Sequence, residues 1–158
     1  AAMGAKPEVF LEFAKNNLWA SRRALSPALY HIKPTKINED IVVPRNKLTE
    51  MLRRLRTLSE KSGITIVNFG HAGDGNIHVN IMVDKADEDE YQRGLGLVEQ
   101  IFRDTLELGG TISGEHGIGL TKAGYIDMEL SERELKIMES IKKVFDPKKI
   151  LNPGKIFS

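Results

Sequence analysis

Two histidines, His71 and His78, flank the dipeptide Asp74-Gly75 between runs rich in β-branched residues, and their spacing has a chemical consequence. Asp-Gly is favoured where a two-residue hairpin turn needs positive φ. With those two residues as the turn, Gly73 faces Asn76, Ala72 faces Ile77, and His71 falls directly opposite His78. Opposed side chains have Cβ atoms about 4.5 to 5.5 Å apart, close enough for two imidazoles to converge on one cation. Asn80 follows on the same face. Ile64 and Ile66 then share the other face with Ile77, Val79, Ile81 and Val83 and form a buried side. A pair of solvated hairpin histidines is the ordinary alternative, and the opposed register favours a metal over it.

A third ligand is available in Gly114-Glu115-His116-Gly117-Ile118-Gly119, where Glu115 is the candidate and His116 beside it is a candidate base. Glycines let a backbone approach a ligand closely. Two histidines and one carboxylate leave positions open for substrate and suit zinc, manganese or iron, so spacing does not select the ion. The same segment also has the outline of a phosphate loop, Gly114-x4-Gly119-Leu120-Thr121, but Leu120 stands where that loop needs lysine. No His-Glu-x-x-His zinc-protease signature occurs. Arg22, Arg23, Lys33 and Lys36 could clamp an anion, guanidinium geometry being suited to carboxylate, although solvation is the everyday role of such residues.

The elements that must position these groups can be read from hydrophobic periodicity. Pro7 to about Leu29 has helical spacing, its continuity limited by Pro27. Tyr30 to Asn38 reads as a loop carrying Lys33 and Lys36, and Asp40-Ile41-Val42-Val43 as a short strand stopped by Pro44. Arg45 to Ser62 is an amphipathic helix ended by Gly63. Ile64 to His71 and Ile77 to Val83 form the hairpin. Asp87 to Leu108 is a helix with acidic residues at its positive end, closed by Gly109-Gly110. A short Thr111-Ile112-Ser113 strand enters the glycine-rich loop, after which a short helix could start. Ser131-Glu132-Arg133-Glu134 is a capping box for a last helix that Asp146-Pro147 stops. Strand, helix, hairpin, helix, strand predicts an α+β fold: a ferredoxin-like antiparallel sheet with helices on one face, plus flanking helices at both ends.

Composition narrows the classes. Lys plus Arg number 23 against 22 Asp plus Glu, which leaves no broad positive field to hold nucleic acid. With no cysteine there are no disulfides, thiolate zinc sites or cysteine nucleophiles, which is compatible with a reducing cytoplasm. No apolar stretch approaches the roughly 20 residues of a membrane-spanning helix. Residues 1–6, opening Ala1-Ala2-Met3-Gly4, read as a remnant ahead of a fragment boundary rather than a targeting signal.

Phe69-Gly70-His71-Ala72-Gly73-Asp74-Gly75-Asn76-Ile77-His78-Val79-Asn80, then Gly110-Thr111-Ile112-Ser113-Gly114-Glu115-His116-Gly117-Ile118-Gly119, then Phe145-Asp146-Pro147-Lys148-Lys149-Ile150-Leu151-Asn152-Pro153-Gly154-Lys155 together resemble the C-terminal domain of FAD-linked oxidases. That family includes the flavin subunit of glycolate oxidase, D-lactate dehydrogenase and D-2-hydroxyglutarate dehydrogenase. The resemblance implies that His71, His78 and Glu115 bind a divalent metal, zinc or manganese, and that Asn80 positions substrate while His116 accepts a proton. It further implies that Trp19-Ala20-Ser21-Arg22 marks a substrate-carboxylate helix, with Arg22 as clamp, Ser26 nearby and Lys36 reaching the same anion. Asn152 and its neighbours would approach the flavin ring. On this reading residues 7–158 are the substrate-side domain of an FAD-dependent enzyme that oxidises a small 2-hydroxy acid of the glycolate or D-lactate type. The family's flavin-binding domain, with its pyrophosphate loop, is not among these residues, so this chain is expected to be inactive alone. The implied partners are that domain and an electron-acceptor subunit, and the implied location is cytoplasmic, peripheral to the membrane in an intact complex. The competing readings are a stand-alone metal-binding or hydrolytic domain and a noncatalytic interaction domain.

Overall fold

A computed structural model describes the backbone of residues 7–157 and the side chains of 18–157, so residues 1–6 and their reading as a remnant lie outside the described residues. The helices are α1 (Pro7–Ala28), α2 (Leu48–Ser62), α3 (Glu88–Glu107) and α4 (Glu132–Phe145); the strands are β1 (Thr35–Val42), β2 (Thr65–His71) and β3 (Asn76–Val83). The sheet is antiparallel in the order β1-β3-β2. Thr111 adds a single antiparallel bridge to Val42, which places a residual fourth strand beside β1. This is the α+β plait expected from the order of elements, with its last strand reduced to one residue pair.

Period-two alternation decides which face the helices cover. Ile37 and Ile41 of β1, Ile66 of β2 and Ile77, Val79, Ile81 and Val83 of β3 share one face, and they pack with Met51 and Leu55 of α2 and Val98, Ile101 and Phe102 of α3. Local signals fix the helix ends. Gly63 takes the left-handed conformation (φ 69°) that closes α2, and Asp87 caps α3 by accepting from the Glu90 N–H. Ser131 and Glu134 form the anticipated capping box on α4.

One charged residue lies on the apolar face. Glu39 is buried, with its Oε2 3.7 Å from the Nζ of Lys122, itself buried and donating to the carbonyls of Ile112 (2.7 Å) and Asp40 (2.9 Å). Burial pushes the Glu39 carboxyl up to about 7 against the opposing pull of Lys122. A carboxyl raised in the folded state adds stability that is fully present below its unfolded value and is lost as pH rises through its folded value. The stability difference between wild type and Glu39→Gln should therefore shift steadily in favour of the variant from about pH 4.5 to about pH 7. Urea midpoints of both proteins across that range check this, and a constant difference would contradict it.

Three expectations change. The Asp74-Gly75 dipeptide does not make a two-residue turn: His71 pairs with Asn76, and Ala72 to Gly75 form a four-residue loop. Of the two, only Gly75 has positive φ (76°), and its carbonyl accepts from the Val43 N–H at 3.0 Å, so close approach to the end of β1 sets the loop length. His78 consequently opposes Phe69, and His71 is its diagonal neighbour rather than its direct partner. Because the register differs by two residues, both imidazoles still share one face. Second, Lys36 belongs to β1, paired with Met82, instead of to a preceding loop. Third, α1 continues through Pro27 to Ala28, with the proline in its last turn.

Candidate functional site

The sheet face turned away from α2 and α3 carries Lys36, Asn38 and Asp40 of β1, Phe69 and His71 of β2, and Asn76, His78 and Asn80 of β3. Two further segments reach it. Arg22 and Ser26, four residues apart and so on one side of α1, meet this face where Arg22 Nη2 lies 3.3 Å from His71 Nε2 and the Lys36 ammonium donates to Ser26 Oγ at 2.7 Å. The loop after Thr111 brings in Glu115 and His116.

His71, His78 and Glu115 converge. Glu115 Oε1 lies 3.2 Å from His78 Nε2 and 3.8 Å from His71 Nε2, and the two rings are 5.5 Å apart, edge to face. Two ligands about 2.1 Å from one tetrahedral zinc ion are themselves roughly 3.4 Å apart, so this separation suits a shared cation. The donor chemistry fits as well. Arg22 Nη2 faces His71 Nε2 at 3.3 Å, so a cation bound there takes the place of the guanidinium on that nitrogen and leaves Arg22 free to pair with an anion. Burial lowers the pKa of His78 against the raising influence of Asp40 and Glu115, favouring the neutral imidazole that metals bind. His116 stacks on His78, with centroids 5.3 Å apart and planes 15° apart, and remains half exposed.

Asp40, which no sequence pattern singles out, lies at the centre of this face. It is wholly buried, and its Oδ2 accepts the backbone N–H groups of Gly114 (3.0 Å), Glu115 (2.6 Å) and His116 (2.8 Å). Its Oδ1 accepts from Asn76 Nδ2 at 2.5 Å and lies 3.6 Å from His78 Nδ1. Burial alone would raise this carboxyl, but the His116 N–H, the Asn76 amide and the Glu115 N–H hold it below the usual range. The inward-turned N–H groups also answer the phosphate-loop alternative: the cradle that would take a phosphate is filled by the protein's own carboxylate. A flavin pyrophosphate does not fit this loop for the same reason. Asp40, His78 and His116 form a second cluster with metal-ligating atoms within 4.8 Å, but four donors already occupy the Asp40 oxygens, and that favours the His71, His78, Glu115 set.

The remaining candidates are distributed unequally. Asn80 is fully buried, accepting from Asn38 Nδ2 (2.9 Å) and donating to the carbonyls of Val67 (3.0 Å) and His78 (3.2 Å), so it braces the strand beneath the imidazole. Arg22, Ser26 and Lys36 lie together on the α1 side. Asn152 sits in the exposed C-terminal turn with φ 46° and accepts from Lys155 Nζ at 3.2 Å. That C-terminal segment is tied to the glycine-rich loop, because the Ile156 N–H donates to the Gly119 carbonyl at 2.9 Å.

The chain belongs to the family "FAD linked oxidases, C-terminal domain", whose model matches residues 11–156 and so takes in the whole of this face. It is 43% identical to glycolate oxidase subunit GlcD of Bacillus subtilis over 141 residues, which cover 89% of this chain and 30% of that protein. It is 39% identical to D-lactate dehydrogenase of Anaerostipes hadrus over 143 residues, covering 90% of this chain and 30% of that one. With D-2-hydroxyglutarate dehydrogenase of Stutzerimonas stutzeri the identity is 38% over 146 residues, covering 90% and 31%. The chain thus spans about 30% of the length of these relatives. Among the described residues, no helix is long and apolar enough to cross a membrane.

Proposed function

We propose that this chain is the metal- and substrate-binding portion of an FAD-dependent oxidoreductase that converts a small 2-hydroxy acid, of the glycolate or D-lactate type, into the 2-oxo acid. The observation that carries the reading is the meeting, on one sheet face, of three metal-ligating atoms, a stacked imidazole and two cationic side chains. A divalent cation on His71, His78 and Glu115, zinc or manganese, would supply Lewis acidity to a hydroxyl, and FAD, held mainly by a separate flavin-binding domain of the same protein, would supply the oxidant. This chain's residues do the rest. Arg22 binds the substrate carboxylate through its planar fork, and Lys36, steered by Ser26, adds a second charge. His116 takes the hydroxyl proton, while Asn80 helps position substrate through the bonds that keep the His78 strand in place. Asn152 serves the flavin side. An electron-acceptor subunit and a cytoplasmic location, peripheral to the membrane, complete the proposal.

Anaerobic bleaching of the flavin in the whole protein, by glycolate, D-lactate and D-2-hydroxyglutarate in turn, tests it. At least one acid should reduce the flavin. Arg22→Met should lower kcat/KM for that acid about 10- to 150-fold, the value of one charged hydrogen bond of roughly 1.5 to 3 kcal/mol. Absence of bleaching with any 2-hydroxy acid, together with metal-dependent hydrolysis by this chain, would establish the hydrolytic alternative instead.

A further inference from the structure

We infer that Asp40 is the positioning residue of the metal centre, forming the ligand set by seating the Glu115 loop and facing His78 from behind. The inference rests on the reading of His71, His78 and Glu115 as a cation site. Those ligands come from separate segments: His78 lies on β3, directly across from Asp40 in the sheet, while Glu115 follows Asp40 by 75 residues. One carboxylate addresses both. Its Oδ2 gathers three consecutive N–H groups, an arrangement that holds the backbone of Glu115 and His116 in one conformation and turns both side chains toward His78. Its Oδ1 lies 3.6 Å from His78 Nδ1, which has no hydrogen-bond partner among the described residues. A proton on that nitrogen, drawn toward Asp40, leaves the lone pair on Nε2, the atom facing Glu115. Orientation of a metal-bound imidazole by a carboxylate behind it is a general device for fixing tautomer and raising basicity.

Gly114 shows how tightly the arrangement is packed. A Cβ there would overlap the Asn76 amide and lie 2.7 Å from Asp40 Oδ1, so any side chain at this position pushes on Asn76 and on the carboxylate to which it donates. Asn76 itself has a spare acceptor, since its Oδ1 is buried and unpaired. In an Asp40→Asn variant, the new amide oxygen can keep accepting the three N–H groups while a flipped Asn76 accepts from the new amide nitrogen. The fold is thereby preserved and the charge behind His78 removed.

The experiment is a Co2+ titration of the chain, read by its visible absorption, for wild type, Asp40→Asn and Gly114→Ala, with amide hydrogen exchange of residues 114–116 in wild type. Asp40→Asn should bind Co2+ about 10- to 100-fold more weakly, the usual effect of losing a group that orients a ligand. Gly114→Ala should weaken binding in the same direction, and the Glu115 and His116 amides should be protected from exchange. Wild type that gives a Co2+ spectrum while both variants bind within about twofold of it would overturn the role of Asp40 and leave the metal reading standing. Free exchange of the Glu115 and His116 amides in wild type overturns the role even if neither variant folds. A wild-type chain giving no Co2+ spectrum overturns the role of Asp40 in holding the ligand set together within this chain, and the metal reading itself is decided separately by the metal content of the whole protein.

Discussion

If the proposed function holds, alanine in place of His116 should slow flavin reduction in the whole protein by roughly 100-fold or more, the contribution of a well-placed general base, while leaving metal content nearly unchanged. The geometry separates these two effects. The His116 ring stacks on His78 at 5.3 Å, and its Nε2 lies 3.9 Å from Glu115 Oε1, so it borders the ligand set without belonging to it. It is half exposed, and its own N–H is anchored to Asp40 at 2.8 Å, which fixes the loop independently of the imidazole. Removing the ring therefore takes away a proton acceptor and leaves His71, His78 and Glu115 where they are. Rapid mixing of the variant with a 2-hydroxy acid, alongside elemental analysis, measures both quantities. An unchanged rate of reduction assigns the base to another residue, and loss of metal with the ring would make His116 a ligand.

Much of this site could be read from the chain because strand side chains alternate with period two. His71, His78 and Asn80 fall on one face whether the hairpin loop has two residues or four, since the two registers differ by an even number. The loop length itself was hidden. It depends on Gly75 meeting Val43, a contact between segments 32 residues apart that no local dipeptide preference encodes. The first half of β1 was hidden for a related reason: Lys36, Asn38 and Asp40 are polar because they face the site, and Glu39 interrupts the apolar side, so alternation looked like a loop. Asp40 shows the limit most clearly. Its sequence neighbours Ile41 and Val42 give it the look of an ordinary strand residue, while its donors come from Asn76 and from the Gly114 to His116 backbone, 36 to 76 residues away. The α4 helix shows a different limit. Its capping box and periodicity predicted the helix, but Ile137, Ile141 and Val144 remain exposed, and periodicity does not say what an apolar side will meet.

The ligand set is the part of the proposal on which the other roles depend. Arg22 and Lys36 have a carboxylate to hold, and His116 a hydroxyl to deprotonate, only if the substrate is brought to this face. Two of the proposed ligands, His71 and His78, sit on the β2–β3 hairpin, whereas Glu115 arrives on a loop held by Asp40, so replacing the hairpin pair removes two of the three donors at once. The most direct measurement is the divalent metal content of the whole protein, wild type against the His71→Ala, His78→Ala double variant, by elemental analysis after exhaustive dialysis. Wild type should retain close to one equivalent of a divalent ion per chain and the double variant almost none, with its fold intact by circular dichroism. Equal metal content in the two proteins would contradict the assignment of His71 and His78 as ligands and the centre built on them.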